Sequence, residues 1–148
     1  MKKTVLMCLM VLLAFVSAYG ETNSEGEEYT FSYALNDAQK VEKAYKSSDV
    51  MTVEMEPHDQ LVLYIPANAT TGFQWVLKDD FEERFVQLIA SEYQAPDSEL
   101  MGAGGTALWS FKANEEGVTT LAFEYLRPWE EDVDPAIVLL IQVHVKAK

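Results

Sequence analysis

The stretch ALWSFKANEEGVTTLAFEY, Ala107 to Tyr125, spells out a β-hairpin. Ala107, Trp109 and Phe111 recur at every second position. Leu121, Phe123 and Tyr125 do the same after the turn formers Asn114-Glu115-Glu116-Gly117. A period of two belongs to a strand with one buried face, whereas a helix repeats every 3.6 residues. The same texture extends outward in both directions. Upstream come Met51, Val53 and Met55, a turn at Pro57-His58-Asp59, and then Leu61, Leu63 and Ile65, stopped by Pro66. Phe73, Trp75 and Leu77 follow, then an acidic turn from Lys78 to Glu83 and a less regular strand from Phe85 to Tyr93. Downstream, Ile137, Leu139, Ile141, Val143 and Val145 share one face. Short strands at this spacing predict an all-β domain. About seven strands from Val50 onward fit an immunoglobulin-like antiparallel β-sandwich with Trp75 central, and a closed barrel of similar strand count is the competing architecture.

The rest of the 148-residue chain divides around that domain. Residues 1–20 read as a signal peptide: Lys2 and Lys3 are basic, Val5 to Val16 are apolar, and Ala18-Tyr19-Gly20 offers small residues for cleavage. The apolar run is short of the roughly 20 residues of a membrane span. Residues 21–48 form an acidic extension of uncertain order. Within it Tyr29 to Leu35 alternates like an extra strand, while Asn36 to Asp49 carries weak helical spacing at Val41, Ala44 and Tyr45. The sandwich domain is then 49–148.

Charge and cysteine content narrow the function. Twenty-four acidic residues against eleven Lys and Arg give a formal charge of −13, and removing Lys2 and Lys3 makes the remainder more negative still. Such a chain is repelled by phosphate backbones and anionic lipid, which argues against nucleic-acid or membrane partners once the signal is gone. The only cysteine, Cys8, lies in the signal segment, so the domain must fold on its core without disulfides. His58 and His144 have no cysteine near them and no metal-ligand spacing, and the acidic runs match no calcium loop. No metal and no cofactor is expected, and no nucleophile-elbow motif marks a hydrolase.

Three connections break the strand rhythm: Asn68-Ala69-Thr70-Thr71-Gly72-Phe73, Gly102-Ala103-Gly104-Gly105 and Arg127-Pro128-Trp129. Singly, each is an ordinary turn. Together they follow the second, fourth and sixth strands counted from Val50. Connections of one parity emerge at one end of a sandwich, so they are expected to form a composite edge.

In this order, on this pattern, the three stretches resemble the chagasin-type inhibitors of papain-like cysteine peptidases. That family carries an NPTTG loop followed by an aromatic, a GxGG loop and an RPW motif on an immunoglobulin-like sandwich. The resemblance runs from about Val50 to Lys148. It implies a reversible inhibitor, not an enzyme, whose loops enter the cleft of a cathepsin-like peptidase. Thr70 would sit over the catalytic Cys–His pair, with Asn68, Ala69, Thr71, Gly72 and Phe73 shaping the loop. The Gly102, Ala103, Gly104 and Gly105 backbone would lie along the enzyme, and Arg127, Pro128 and Trp129 would anchor the far side. A monomer that is secreted, or delivered to a lysosomal, endolysosomal or vacuolar compartment, is expected. The family's proline is Ala69 here, which makes Asn68-Ala69-Thr70 an N-glycosylation sequon. Asn68 is expected to stay largely unmodified and to brace the loop instead. The rival reading is a secreted adhesion or carbohydrate-binding module using Trp129. A hydrolase with paired carboxylates is the third.

Overall fold

The structure is a computed structural model and describes residues 26–147. The expected signal peptide, 1–20, and residues 21–25 of the extension lie outside the described residues. Nine strands run in order: β1 (Glu28–Leu35), β2 (Val41–Lys46), β3 (Val50–Met55), β4 (Gln60–Ala67), β5 (Gln74–Leu77), β6 (Val86–Gln94), β7 (Gly105–Ala113), β8 (Gly117–Leu126) and β9 (Ile137–Val145). They form two sheets, ordered β2-β1-β4-β7-β6 and β3-β9-β8-β5. The sandwich is the all-β architecture expected, but Ala107–Tyr125 is not a hairpin: its two strands, β7 and β8, lie in different sheets, so the turn at 114–116 carries the chain across the sandwich, and each strand pairs with others instead.

The strand count exceeds seven because the extension contributes two. β1 pairs antiparallel with β4, Leu35 opposite Leu61, and β2 pairs with β1, Tyr29 opposite Tyr45. Val41, Ala44 and Tyr45 therefore belong to a strand despite their helical spacing. The segment is too short to sustain a helix alone. As a strand it buries Tyr45 against Phe31 and Tyr29, with ring centroids at 5.8 and 5.7 Å. Burial pushes the Tyr45 phenol well above its ordinary range. One pairing also departs from the antiparallel expectation: β3 runs parallel to β9, Val53 opposite Val143.

The two inner faces meet in one core. Leu61, Leu63 and Ile65 of β4 and Phe111 of β7 face Leu121 and Phe123 of β8 and Leu139, Ile141 and Val143 of β9, all fully buried. Phe111 and Phe123 meet edge-on at 6.3 Å. Trp75 lies within this core, and its indole Nε1 donates to the Pro66 carbonyl at 2.9 Å. The first half of β9, Ile137 to Ile141, is apolar on both faces, as befits a central strand, while Gln142 and His144 make the outer face of its second half polar. Its Val138 and Leu140 join Ala122 and Val50 in a second small cluster.

Register fixes what emerges where. The connections 68–73, 95–104 and 127–136 leave β4, β6 and β8 at one end. Turns 36–40, 56–59, 78–85 and 114–116 lie at the other. There Asn36 and Asp59 tie two turns together. Asn36 Nδ2 donates to Asp59 Oδ1 at 2.7 Å, and the Gln60 amide donates to Asn36 Oδ1 at 2.8 Å.

Candidate functional site

Asn68 organises the first loop from its own side chain. It caps a single 3₁₀ turn, Ala69–Thr71, with backbone in the extended region. Its Oδ1 accepts from the Thr70 amide at 3.2 Å and from Thr70 Oγ1 at 2.6 Å. Thr71 Oγ1 donates back to the Asn68 carbonyl at 2.7 Å. Gly72 ends the turn at φ +77°, the left-handed region that glycine enters without strain. The loop is thus closed on itself although Ala69 supplies no proline ring.

The second loop is fixed to the first. Asn68 Nδ2 donates to the Gly102 carbonyl at 3.0 Å. Gly102 has φ +83° and is the third residue of a turn, Leu100 to Ala103, closed by the Ala103 amide on the Leu100 carbonyl at 3.3 Å. That φ is what a type II turn requires at its third position. Gly105 opens β7 where there is no room for a side chain. A Cβ there would overlap the Gln94 carbonyl and the Tyr93 ring.

The third loop reaches the first by way of Arg127. Its Nε donates to the Thr71 carbonyl at 3.2 Å, and its guanidinium lies 4.5 Å from the Phe73 ring centroid. Glu130 pairs with Nη1 at 3.1 Å, and the Glu130 amide closes a turn on the Arg127 carbonyl at 3.0 Å. Pro128 takes the second position of that turn, which its fixed φ suits. The turn lays the Trp129 ring on Gly72, where any Cβ would overlap it, and still leaves 65% of Trp129 exposed.

All thirteen singled-out residues therefore stand at one end: Asn68, Ala69, Thr70, Thr71, Gly72 and Phe73, then Gly102, Ala103, Gly104 and Gly105, then Arg127, Pro128 and Trp129. Arg127 is engaged within the molecule, by Thr71, Phe73 and Glu130, so its first task is to join two loops. The three motifs do not include every contributor to this edge. Tyr125 appeared only as an inner-face strand residue. Its hydroxyl accepts from the Asn68 amide at 3.0 Å, and its ring stacks on Phe73 at 5.2 Å and Trp75 at 4.9 Å. Its place at the end of an alternating run, next to the RPW stretch, was the available signal. Leu100 and Met101, beside the glycine loop, are further exposed apolar side chains of this edge, as is Val133 in the third connection, and nothing in their pattern marked them.

On this edge a small cleft of about 170 Å³ lies between Phe73 and the third loop, with Arg127, Glu130 and Asp134 in its lining. A cleft of about 450 Å³ lies behind the edge, between β5 and the β6–β7 pair. Phe73, Trp75, Tyr93 and Trp109 line it, and Glu92 is its one carboxylate, so paired-carboxylate hydrolysis has no home there. Among the described residues, no group of three or more His, Cys, Asp or Glu side chains is placed to hold a metal ion.

Comparison with known proteins accords with this geometry. Residues 54–143 match the family described as Chagasin family peptidase inhibitor I42. Chagasin from Trypanosoma cruzi is 30% identical over 93 residues, 61% of this chain and 82% of that protein. The crystal structure of the cysteine protease inhibitor EhICP2 from Entamoeba histolytica superposes with a TM-score of 0.60 at 22% identity, over 66% of this chain and 88% of that one. A structure of PbICP-C in complex with falcipain-2 covers 69% of this chain and 93% of that one, with a TM-score of 0.44 and 17% identity. The adhesion-module alternative finds no support among these relatives. By its match over most of the sandwich, the chain belongs to the chagasin family, whose members are peptidase inhibitors and not enzymes.

Proposed function

We propose that this protein inhibits papain-like cysteine peptidases reversibly, by seating the edge formed by its three loops across the catalytic cleft. The observation that carries the reading is the bracing of the edge: Asn68 holds the second loop and Arg127 holds the third, both through the first. Loops fixed before binding lose little conformational entropy on docking. The 3₁₀ turn at Ala69–Thr71 presents Thr70 as a compact knob, unlike an extended scissile peptide. Blocking the nucleophile in that shape denies it near-attack geometry, so the inhibitor is held uncut. Gly102 to Gly105 offer backbone to the enzyme with only the Ala103 methyl in the way. Trp129 is the exposed aromatic anchor, of the residue type most enriched in binding hot spots.

The same reading includes a secreted or endolysosomal monomer and an unglycosylated Asn68. The Asn68 side chain is already committed at both its oxygen and its nitrogen, which favours a bracing role over a glycan acceptor. The decisive experiment titrates papain with the purified protein, alongside a serine and an aspartic protease. Loss of papain activity alone is expected. Full papain activity at micromolar protein refutes the proposal. A fully occupied glycan on an active inhibitor refutes the Asn68 assignment.

A further inference from the structure

We propose that Met101 is an oxidation-sensitive control point of the inhibitory edge, at which conversion of the thioether to the sulfoxide weakens the hold on the peptidase. The inference rests on the proposed function for its consequence, but its selectivity stands on the structure alone. Three methionines fall among the described residues. Met55 is 1% exposed within the core, and Met51 is half-buried against it. Met101 is fully exposed, and its neighbour Leu100 is 78% exposed. An oxidant in solution therefore meets one thioether long before the other two.

Position gives the selectivity a consequence. Met101 is the second residue of the Leu100–Ala103 turn, at the corner, where the side chain projects away from the loop. The next residue, Gly102, provides the carbonyl that Asn68 grips, so Met101 is fixed one residue from the junction of the first two loops. Leu100 and Met101 together form an apolar step beside the Gly102–Gly105 backbone. A partner seated on that backbone covers the step and removes its apolar surface from water. Methionine adapts well to such contacts, being flexible and polarisable.

The chemical step needs a two-electron oxidant such as hydrogen peroxide. The sulfur lone pair attacks one peroxide oxygen, the O–O bond breaks and an S–O bond forms. Sulfur is oxidised to the sulfoxide, and the peroxide is reduced, leaving as water after proton transfer. The product is polar and chiral where the surface had been apolar, and methionine sulfoxide reductases reverse the change. Secreted inhibitors meet oxidants outside the cell, so the site would couple inhibition to local peroxide.

The test treats the purified protein with limiting hydrogen peroxide, removes the remainder with catalase, and only then adds papain. Peptide mapping by mass spectrometry should show Met101 oxidised well before Met51 and Met55. The inhibition constant should rise roughly tenfold, a shift of the size expected for exchanging an apolar contact for a polar one. Met101→Leu, which keeps an apolar side chain there, should show the same inhibition constant before and after peroxide, whatever its starting value. Met101→Gln, a polar stand-in for the sulfoxide, should be weak without any peroxide. Verified Met101 sulfoxide with unchanged inhibition overturns the proposal, as does an equal loss in Met101→Leu. If the untreated protein does not inhibit papain, the proposed function fails instead, and the peptide map still reads the selectivity.

Discussion

At the far end of the sandwich the chain reverses within the short turns 56–59 and 114–116, and backbone bonds close them. The His58 amide reaches the Ala113 carbonyl and the Asn114 amide reaches the Phe85 carbonyl. Asn36 and Asp59 finish the job with polar side chains facing inward on the turns themselves. At the loop end the connections 95–104 and 127–136 are long, and few of their groups bond within their own loop. What holds them are single side chains that cross from one loop to another: Asn68 to Gly102, and Arg127 to Thr71. The far end is tied to the sheets, so damage there reduces the stability of the fold. The loop end is tied mainly to itself, so damage there reshapes a surface and leaves the core standing. With the proposed function, stability and inhibition are thereby separated along one axis of a small domain.

That contrast can be broken by mutation. The largest effect is expected for Trp129→Ala, which removes an exposed anchor and should weaken papain inhibition by at least 30-fold, about 2 kcal/mol. Most of the loss should be in the dissociation rate, read by surface plasmon resonance, with the melting temperature unchanged. A fall in melting temperature would mean that the indole supports the fold as well. Gly72→Ala comes next. It forces a side chain into positive φ and against the Trp129 ring at once, and about tenfold weaker inhibition is expected. A crystal structure of that variant should show the indole displaced.

Asp59→Ala sharpens the other half of the comparison. It deletes the acceptor for Asn36 Nδ2 and, at Oδ2, for the Glu56 amide. About 1 kcal/mol of stability should be lost, a fall of some 5 °C by calorimetry, with the inhibition constant unmoved. The smallest effect concerns the added hairpin. Tyr45 is buried with its phenol pushed above the ordinary 10.0, so the unfolded chain ionises first as pH rises. Above about pH 10 the unfolded state binds fewer protons than the native one, and stability falls with pH. Tyr45→Phe should unfold less readily than the parent in that alkaline window and match it at neutral pH. Identical alkaline denaturation curves would place the loss elsewhere.

The alternation of Ala107–Tyr125, Leu61–Ile65 and Ile137–Val145 is sufficient for an all-β domain, because period two is a property of local backbone geometry, whereas the choice of two sheets over a closed barrel was made by long-range pairing. The three loop motifs were legible for a related reason: glycines, prolines and capping residues act over a few positions. Even their meeting at one end followed from strand parity. Of the β1–β2 hairpin, β1 was legible in the alternation of Tyr29 to Leu35, and β2 was not. Val41, Ala44 and Tyr45 follow helical spacing, and only the open edge of β1 and the rings of Tyr29 and Phe31 select the strand. The parallel pairing of β3 with β9 joins residues from opposite ends of the domain, which no local pattern encodes.

By itself, then, the sequence determined the strands, the core stripes and the identity of the loops, all of them set by neighbours within a few residues. Only the tertiary structure decided that Asn68 grips Gly102, that Arg127 turns inward to Thr71 and Phe73 while Trp129 stays in solvent, and that Tyr125 holds the first loop from beneath. Those contacts join residues 34 to 57 positions apart, and their geometry exists only after the two sheets have packed.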